Sequence, residues 1–311
     1  MEAWSFFDGR WRPGDAAEAQ ARWFNLIAPA DDDLHALGVR YGLHPLSIED
    51  CISPAMHAPK VDEFPDHLFI VLYGFVDGGG EPGRPEELDC FLGTDFLITY
   101  QDRRLAATGA TAGALEQGVS VRPGVDGLFH DVTDRLVDGI LPHVNELAER
   151  LEQLQDEIVA RPNAGEYGAE VLTVRATAGR ARRILAPQLA VLQRFSRGEF
   201  ELISEPNRIY FRDIFDHLVR IDFALEGLRE DAEVALSTHL SAINNRLSEV
   251  MKVLSVVGAL ALPASVIAGI FGTNFDNVPG LHSNWGFVAM LGAMGTLAGS
   301  MAMYFRRKGW W

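Results

Sequence analysis

Apolar residues repeat along this chain first in short runs, then with a helical period, and finally in two long stretches free of charge. Trp23–Ile27, His67–Phe75 and Cys90–Tyr100 are dense in Phe, Ile, Val and Leu and predict strands. Asp31–Tyr41, apolar at Leu34 and Leu37 with an acidic first turn, predicts a helix. Val76–Glu87 holds Gly78, Gly79, Gly80, Pro82, Gly83 and Pro85 and is expected to be a turn between two strands. From about Leu105 the period becomes helical. His130–Ala160 carries Leu136, Ile140, Leu141, Leu147, Leu151, Leu154 and Ile158 at helical spacing, with Glu146, Glu149, Glu152, Asp156 and Glu157 on its polar face. That face reads either as a solvated surface or as one that attracts cations. Glu170–Arg197 is expected to return antiparallel, with Arg175, Arg180, Arg182 and Arg183 able to face the acidic helix.

Pro206 opens the longest element. Ile214, Leu218, Ile221, Leu225, Leu228, Ala232 and Ala235 alternate steps of four and three, a heptad seam that continues less cleanly through Leu240, Ile243, Leu247 and Val250. A helix this long points to a bundle around a symmetry axis; the alternative is a helix packed only on its own domain. Between Lys252 and Asp276 lie 23 residues without a charged side chain, and Asn277–Phe305 is a second such run. About 20 apolar residues cross a hydrocarbon core as a helix, so transmembrane helices are expected over 252–271 and 285–305. Arg246 and Lys252 precede the first span, Arg306, Arg307 and Lys308 follow the second, and Gly272–Asn284 has no Lys or Arg. Positive charge stays inside. The expectation is a multi-pass protein of the cell (inner, cytoplasmic) membrane with both termini cytoplasmic. Trp285, Trp310 and Trp311 fit the interfacial belt.

The domain organisation expected is a cytosolic α/β domain over 1–105, a cytosolic helical hairpin region over 106–205 and a stalk helix over 206–252. A pore-lining span over 253–271, an external loop over 272–284, a second span over 285–305 and a basic tail over 306–311 complete it. The fold class is therefore an α+β cytosolic domain, an α/β sandwich, with a long stalk helix and two C-terminal transmembrane helices. The formal net charge of −16 excludes a nucleic-acid partner and suits a protein surrounded by cations. Cys51 and Cys90 are too few and too far apart for a metal knuckle and are expected to be reduced. No nucleophile–base pairing or phosphate-cradling Gly-rich loop is present, so an enzyme is not expected.

Four stretches together carry a family resemblance. They are Tyr41–Asp50 with Pro59–Glu63, Tyr210–His217, Arg246–Leu254 with Pro263 and Ile267–Phe275, and Tyr304–Trp310. In these the chain resembles the CorA family of magnesium channels over roughly residues 22–311. The resemblance implies a homopentameric funnel in a lipid bilayer whose first span lines the conduction path. It implies pore positions at Ser248, Met251, Leu254, Leu262 and Ser265, and a selectivity filter at Gly272, Thr273 and Asn274. Met251, Leu254 and Leu262 would form an apolar constriction that gates by dewetting. A ring of Asn274 amide oxygens would meet a hydrated Mg²⁺ through its tightly held waters. The resemblance further implies regulation by cytosolic Mg²⁺ between subunits, at Asp50 and Asp213 with Glu49 as a second acid. The alternative for Asp50 is a helix cap, and for Asp213 a stalk surface charge. Gly295-x-x-x-Gly299 reads as a packing motif between the two spans.

The sequence departs from the family pattern at Thr273, where the signature has Met, and at Ser248, where Asn is usual. Pro279-Gly280 in the loop is more like the zinc-transporting ZntB branch, and His282 offers a softer ligand. The expected function is passive divalent cation transport, of Mg²⁺ first and of Co²⁺ or Ni²⁺ besides. The alternatives are a ZntB-like, proton-coupled Zn²⁺ transporter and a non-conducting membrane-anchored sensor or scaffold.

Overall fold

The structure, a computed structural model, describes residues 1–78, 81–119, 122, 124–161, 167–273, 278–280 and 283–310. The chain divides into a larger unit, Met1–Val159 with Glu166–Leu236, and a second unit comprising Ala160–Gly165 and Ser237–Trp311.

The larger unit is built on a seven-stranded sheet in the order β2-β1-β3-β7-β6-β5-β4. The strands are β1 (Glu2–Phe7), β2 (Arg10–Pro13), β3 (Ala21–Ile27), β4 (Lys60–Glu63), β5 (His67–Gly78), β6 (Glu81–Gly93) and β7 (Phe96–Gln101). Among the described strands, β3 and β7 alone pair in parallel. Both faces are covered, which is why β5 reads as a continuous apolar run rather than an alternating one. Leu68, Ile70 and Leu72 join one core and Phe69, Val71 and Tyr73 the other. The second core is closed by α1 (Asp31–Tyr41) and α2 (Pro45–Ile52) through Leu34, Leu37, Ile48 and Cys51. Gly42 ends α1 in the left-handed conformation at φ 64°, and the next helix opens with His44 as its cap and Pro45 in its first turn.

Two strand expectations are corrected. The stretch Val76–Glu87 is mostly strand, with β5 and β6 pairing down to Gly78 opposite Glu81; Gly79 and Gly80 lie outside the described residues. Pro85 is tolerated because β7 pairs β6 only along Asp89–Leu92, so the earlier half of β6 has one free edge. Cys90–Tyr100 is two strands, since the chain reverses after Gly93 and sets Leu92 opposite Leu97. The short strands β1, β2 and β4 carry too few residues to announce themselves.

The first core is closed by α3 (Ala106–Glu116), α4 (Val125–Asp138), α5 (Leu141–Ala160), α6 (Tyr167–Ser196) and the start of α7 (Glu205–Phe271). The single helix expected over His130–Ala160 is two. Pro142 has no amide to donate back to Asp138, so the helix breaks at Gly139–Ile140. Of the four arginines of α6 expected to face α5, Arg175 and Arg182 turn to α7 instead. Arg175 meets Glu233 at 2.7 Å, and Arg182 meets Asp222 at 2.8 Å and Glu226 at 2.5 Å. Arg150 of α5 crosses to α6 at Glu170. Deeper in, Gln188 of α6 accepts from the Tyr73 amide at 2.7 Å, serving strand backbone beyond the end of β4.

The start of α7 is fastened by a side chain from another helix. Asp126 Oδ2 accepts from the Ser204 amide (2.9 Å), the Ser204 hydroxyl (2.5 Å) and the Asn207 side-chain amide (2.8 Å). The Ser204 amide is a backbone donor that the helix N-terminus itself leaves unsatisfied, and the two side-chain donors fasten the same carboxylate. From there α7 runs 67 residues, about 100 Å at the helical rise. The heptad seam Ile214–Ala235 is buried in the core of its own chain. Over these positions the periodicity therefore marks intrachain packing.

Candidate functional site

Among the described residues, two helices are long and apolar enough to cross a membrane, α7 and α8 (Gly286–Arg307). Lys252 Nζ donates to the Gly309 carbonyl at 2.9 Å, and Trp310 stacks on Phe305 at 5.5 Å. The beginning of one apolar stretch and the end of the other thus meet in an antiparallel hairpin. A Cβ on Gly286 would collide with the Gly280 carbonyl, so the turn into α8 admits only glycine there. Gly295 and Gly299 do not pack on the other helix as expected: a Cβ at either would meet open space. Among the described residues of one chain, nothing comes within 4 Å of a Cβ placed on either glycine.

Ser248, Met251, Leu254, Leu262 and Ser265 are all exposed in the single chain. At about 100° per residue they fall within an arc of about 120°, one stripe of the helix. The hydroxyls of Ser248 and Ser265 donate to the Asn244 and Ala261 carbonyls, each at 2.9 Å. Their protons being spent inside the helix, each oxygen presents lone pairs outward. Such oxygens can accept from the waters around a cation. Pro263 lies within the helix, between the two serines.

The end of α7 closes on itself. The Gly272 amide reaches Ala268 O at 2.9 Å and Gly269 O at 3.2 Å; the Thr273 hydroxyl donates to Ile270 O at 2.7 Å. Orphan carbonyls at the helix terminus are satisfied without water. Gly272 and Thr273 are therefore placed, while Asn274, Asp276 and His282 lie outside the described residues.

The acids for which the resemblance implies a regulatory role fall in two clusters of the larger unit. Asp213 lies one turn before His217 on α7, with its Oδ2 3.7 Å from His217 Nε2. His217 Nδ1 is 3.2 Å from Asp138 Oδ1 of α4, and Asp134, Asp138 and His217 bring one ligand atom each within 4.8 Å of the others. Burial, and then the neighbouring Asp138, push the Asp134 carboxyl above its usual range. A cation among these groups would relieve that cost. Asp134, Asp138 and His217 were not assigned a role from the sequence. Their signal is two pairs at i,i+4, Asp134/Asp138 and Asp213/His217, whose helices happen to meet.

Asp50 sits on α2 with a cation already beside it: Lys60 Nζ at 2.8 Å, itself 2.7 Å from Asp62. His57 Nε2 is 3.7 Å away on the other oxygen, and His57 Nδ1 is 3.2 Å from Glu87. Glu49 is exposed. Asp50 and Asp213 thus belong to separate clusters within one chain. Cys51 and Cys90 are free and buried, and burial pushes both thiols well up.

Comparison with known proteins agrees over nearly the whole chain. Residues 18–307 match the family described as CorA-like Mg2+ transporter protein. The cobalt/magnesium transport protein CorA of Thermotoga maritima is 28% identical over 93% of this chain and 83% of its own length. The zinc transport protein ZntB of Pectobacterium carotovorum is 24% identical over 94% of this chain and 84% of its own length. The complete structure of the CorA magnesium transporter from Methanocaldococcus jannaschii superposes with a TM-score of 0.89 at 20% identity, covering 100% of this chain and 98% of that one. The full-length CmaX protein gives 0.82 at 21% identity, over 99% and 97% of the two chains.

Proposed function

The chain belongs to the CorA-like Mg2+ transporter family, and from that premise we propose that it assembles as a homopentamer in the cytoplasmic membrane and conducts divalent cations, with Mg²⁺ as principal cargo and Co²⁺ or Ni²⁺ as lesser ones. The observation that carries this reading is the uncharged, exposed end of α7, closed at Gly272–Thr273 immediately before Asn274. Five copies would set the Ser248–Ser265 stripe around an axis, with hydroxyl oxygens at two levels and the apolar ring of Met251, Leu254 and Leu262 between. Asn274 would supply the outer ring. Moving a divalent ion through a potential of 100 mV yields about 4.6 kcal/mol, enough for roughly a thousandfold gradient, so no ATP site is required. Both termini would be cytoplasmic.

Regulation on this reading places a cytosolic cation at Asp213, with Asp134, Asp138 and His217 of the same chain beside it and Asp50 and Glu49 supplied by a neighbouring copy. A cation that binds one arrangement of subunits better than another shifts their equilibrium toward it.

A second reading is Zn²⁺ transport coupled to protons. It is favoured by the ZntB relatives at nearly full coverage and by Pro279-Gly280 in the loop. The test is uptake of Mg²⁺ and of Zn²⁺ into liposomes holding the purified protein, at set membrane potentials, with and without a pH gradient, beside Asn274→Ala. Potential-driven Mg²⁺ uptake that Asn274→Ala disturbs is the expected result. Zn²⁺ uptake that needs the pH gradient selects the second reading, and no flux of either ion through a folded oligomer leaves a sensor.

A further inference from the structure

A groove of about 970 Å³ runs between α6 and α7 and is lined by Arg175, Arg180, Arg182, Arg183 and Arg229. Arg229 lies over Gly179, with its Nε 3.7 Å from where a Cβ would stand. Three carboxylates answer the five guanidiniums, with Glu233 on Arg175 and Asp222 and Glu226 on Arg182 and Arg229. Arg180 and Arg183 are exposed and have no acidic partner among the described residues; Arg180 donates only to the Thr177 hydroxyl. In a chain of net charge −16 this is a concentrated positive surface.

The opposite charge stands on α5. Glu146, Glu149, Glu152 and Asp156 form an exposed stripe at steps of three, three and four, and none of them has a cationic partner among the described residues. Leu147, Leu151, Leu154 and Ile158 on the other side of α5 are buried, so the stripe points away from the bundle. Like charges at this spacing oppose one another along a helix. The stripe spans about 15 Å and the arginines of α6 about 12 Å. Both flank the same stretch of α7, since Gln155 of α5 reaches the Asp231 carbonyl and Arg175 of α6 reaches Glu233. In a three-helix bundle the outward face of one helix and the groove between the other two point to opposite sides. One copy cannot bring its own stripe to its own groove.

We infer that the α6–α7 arginine groove receives the acidic α5 stripe of an adjacent copy of this chain, so that the two surfaces form one polar inter-subunit contact outside the conduction path. Two unlike patches at the same height along parallel bundles make a head-to-tail contact, the kind that closes into a ring. Charge pairing of this kind fixes register between copies and falls with ionic strength. The inference rests on the oligomeric reading above.

Full-length protein in detergent decides it. Cys51 and Cys90 are buried, so added surface thiols report alone. Co-expressed Glu152→Cys and Arg180→Cys chains are expected to form a disulfide-linked pair under mild oxidation, and neither variant alone to do so. Arg180→Glu with Arg183→Glu is expected to weaken assembly at low salt by about tenfold or more, and Glu149→Arg with Glu152→Arg in the same chain to restore it. All these positions are exposed, and melting temperature checks the fold. An intact oligomer without the mixed disulfide overturns this contact and leaves the assembly standing. A monomeric wild-type protein overturns both. Binding of inorganic tripolyphosphate that Arg180→Glu abolishes, with assembly unchanged, would assign the groove to a small anion instead.

Discussion

Between Ile214 and Ala235, α7 sets every third or fourth side chain into the core of its own chain, and these residues are almost wholly buried. Between Leu240 and Ile270 the same helix keeps its apolar content but is largely exposed: Leu247 is 58% exposed and Leu262 68%. One helix, one composition class, and two different solvents. An apolar surface as long as the second stretch is not left to water. The first stretch is covered by its own chain, whereas the second is largely exposed. Periodicity names the apolar face of a helix and is silent about what covers it.

The sharpest way to break that comparison is Leu225→Ala. Leu225 is fully buried in the seam, and emptying such a site costs about 2–5 kcal/mol. Chemical denaturation of the larger unit, followed by circular dichroism, is expected to show that loss. An unchanged midpoint would mean the seam is not core after all.

Next in size is Asp126→Ala. It removes three bonds at the start of α7 and leaves the Ser204 amide and Asn207 without their acceptor, worth about 2–3 kcal/mol for bonds to a charged group. Hydrogen exchange should quicken over the first turns of α7 before it does at Leu225. Equal protection at both would show that the cap is dispensable.

Asp89→Asn runs in the other direction. Asp89 is buried on β6 with Oδ1 lacking any hydrogen bond. Burial first, and then the charge of Glu87, hold its carboxyl well above the usual range. For an acid whose folded pKa is raised, the fold favours the protonated form. Its contribution to stability is present at low pH and is lost as pH rises from the unfolded value through the folded one. The amide keeps the shape without the charge. It should stabilise the larger unit by about 1–2 kcal/mol at neutral pH, with the gap closing below about pH 4. A gap that widens in acid would reverse the assignment.

Much of this was legible along the chain. Asp31–Tyr41 and the two apolar spans rest on strong local signals, charge-free length and a first acidic turn. The Gly- and Pro-rich Val76–Glu87 was misleading because an edge position forgives what a central strand would not. The break at Gly139 was hidden by apolar residues that keep helical spacing across it, although Pro142 forbids the continuous helix. The destination of the α6 arginines was beyond sequence, since charge names an opposite partner and α5 and α7 both offered one. Asp134 and Asp138 escaped for the same reason: their i,i+4 spacing is common on any helix, and only the fold sets them beside His217.

The smallest effect on stability, and the most telling, belongs to Leu254→Asn. Leu254 is 62% exposed in the single chain, so the melting of the larger unit should move by less than about 0.5 kcal/mol. If the stripe from Ser248 to Ser265 faces a conduction path, the same change wets an apolar ring, and a dewetted ring is what holds such a path shut. Divalent uptake into liposomes should therefore rise while the fold is untouched. A destabilisation comparable to that of Leu225→Ala would mean that this half of α7 is packed on its own chain like the first. Unchanged stability with unchanged uptake would leave Leu254 facing lipid, and the stripe would have to be rotated about the helix to find the path.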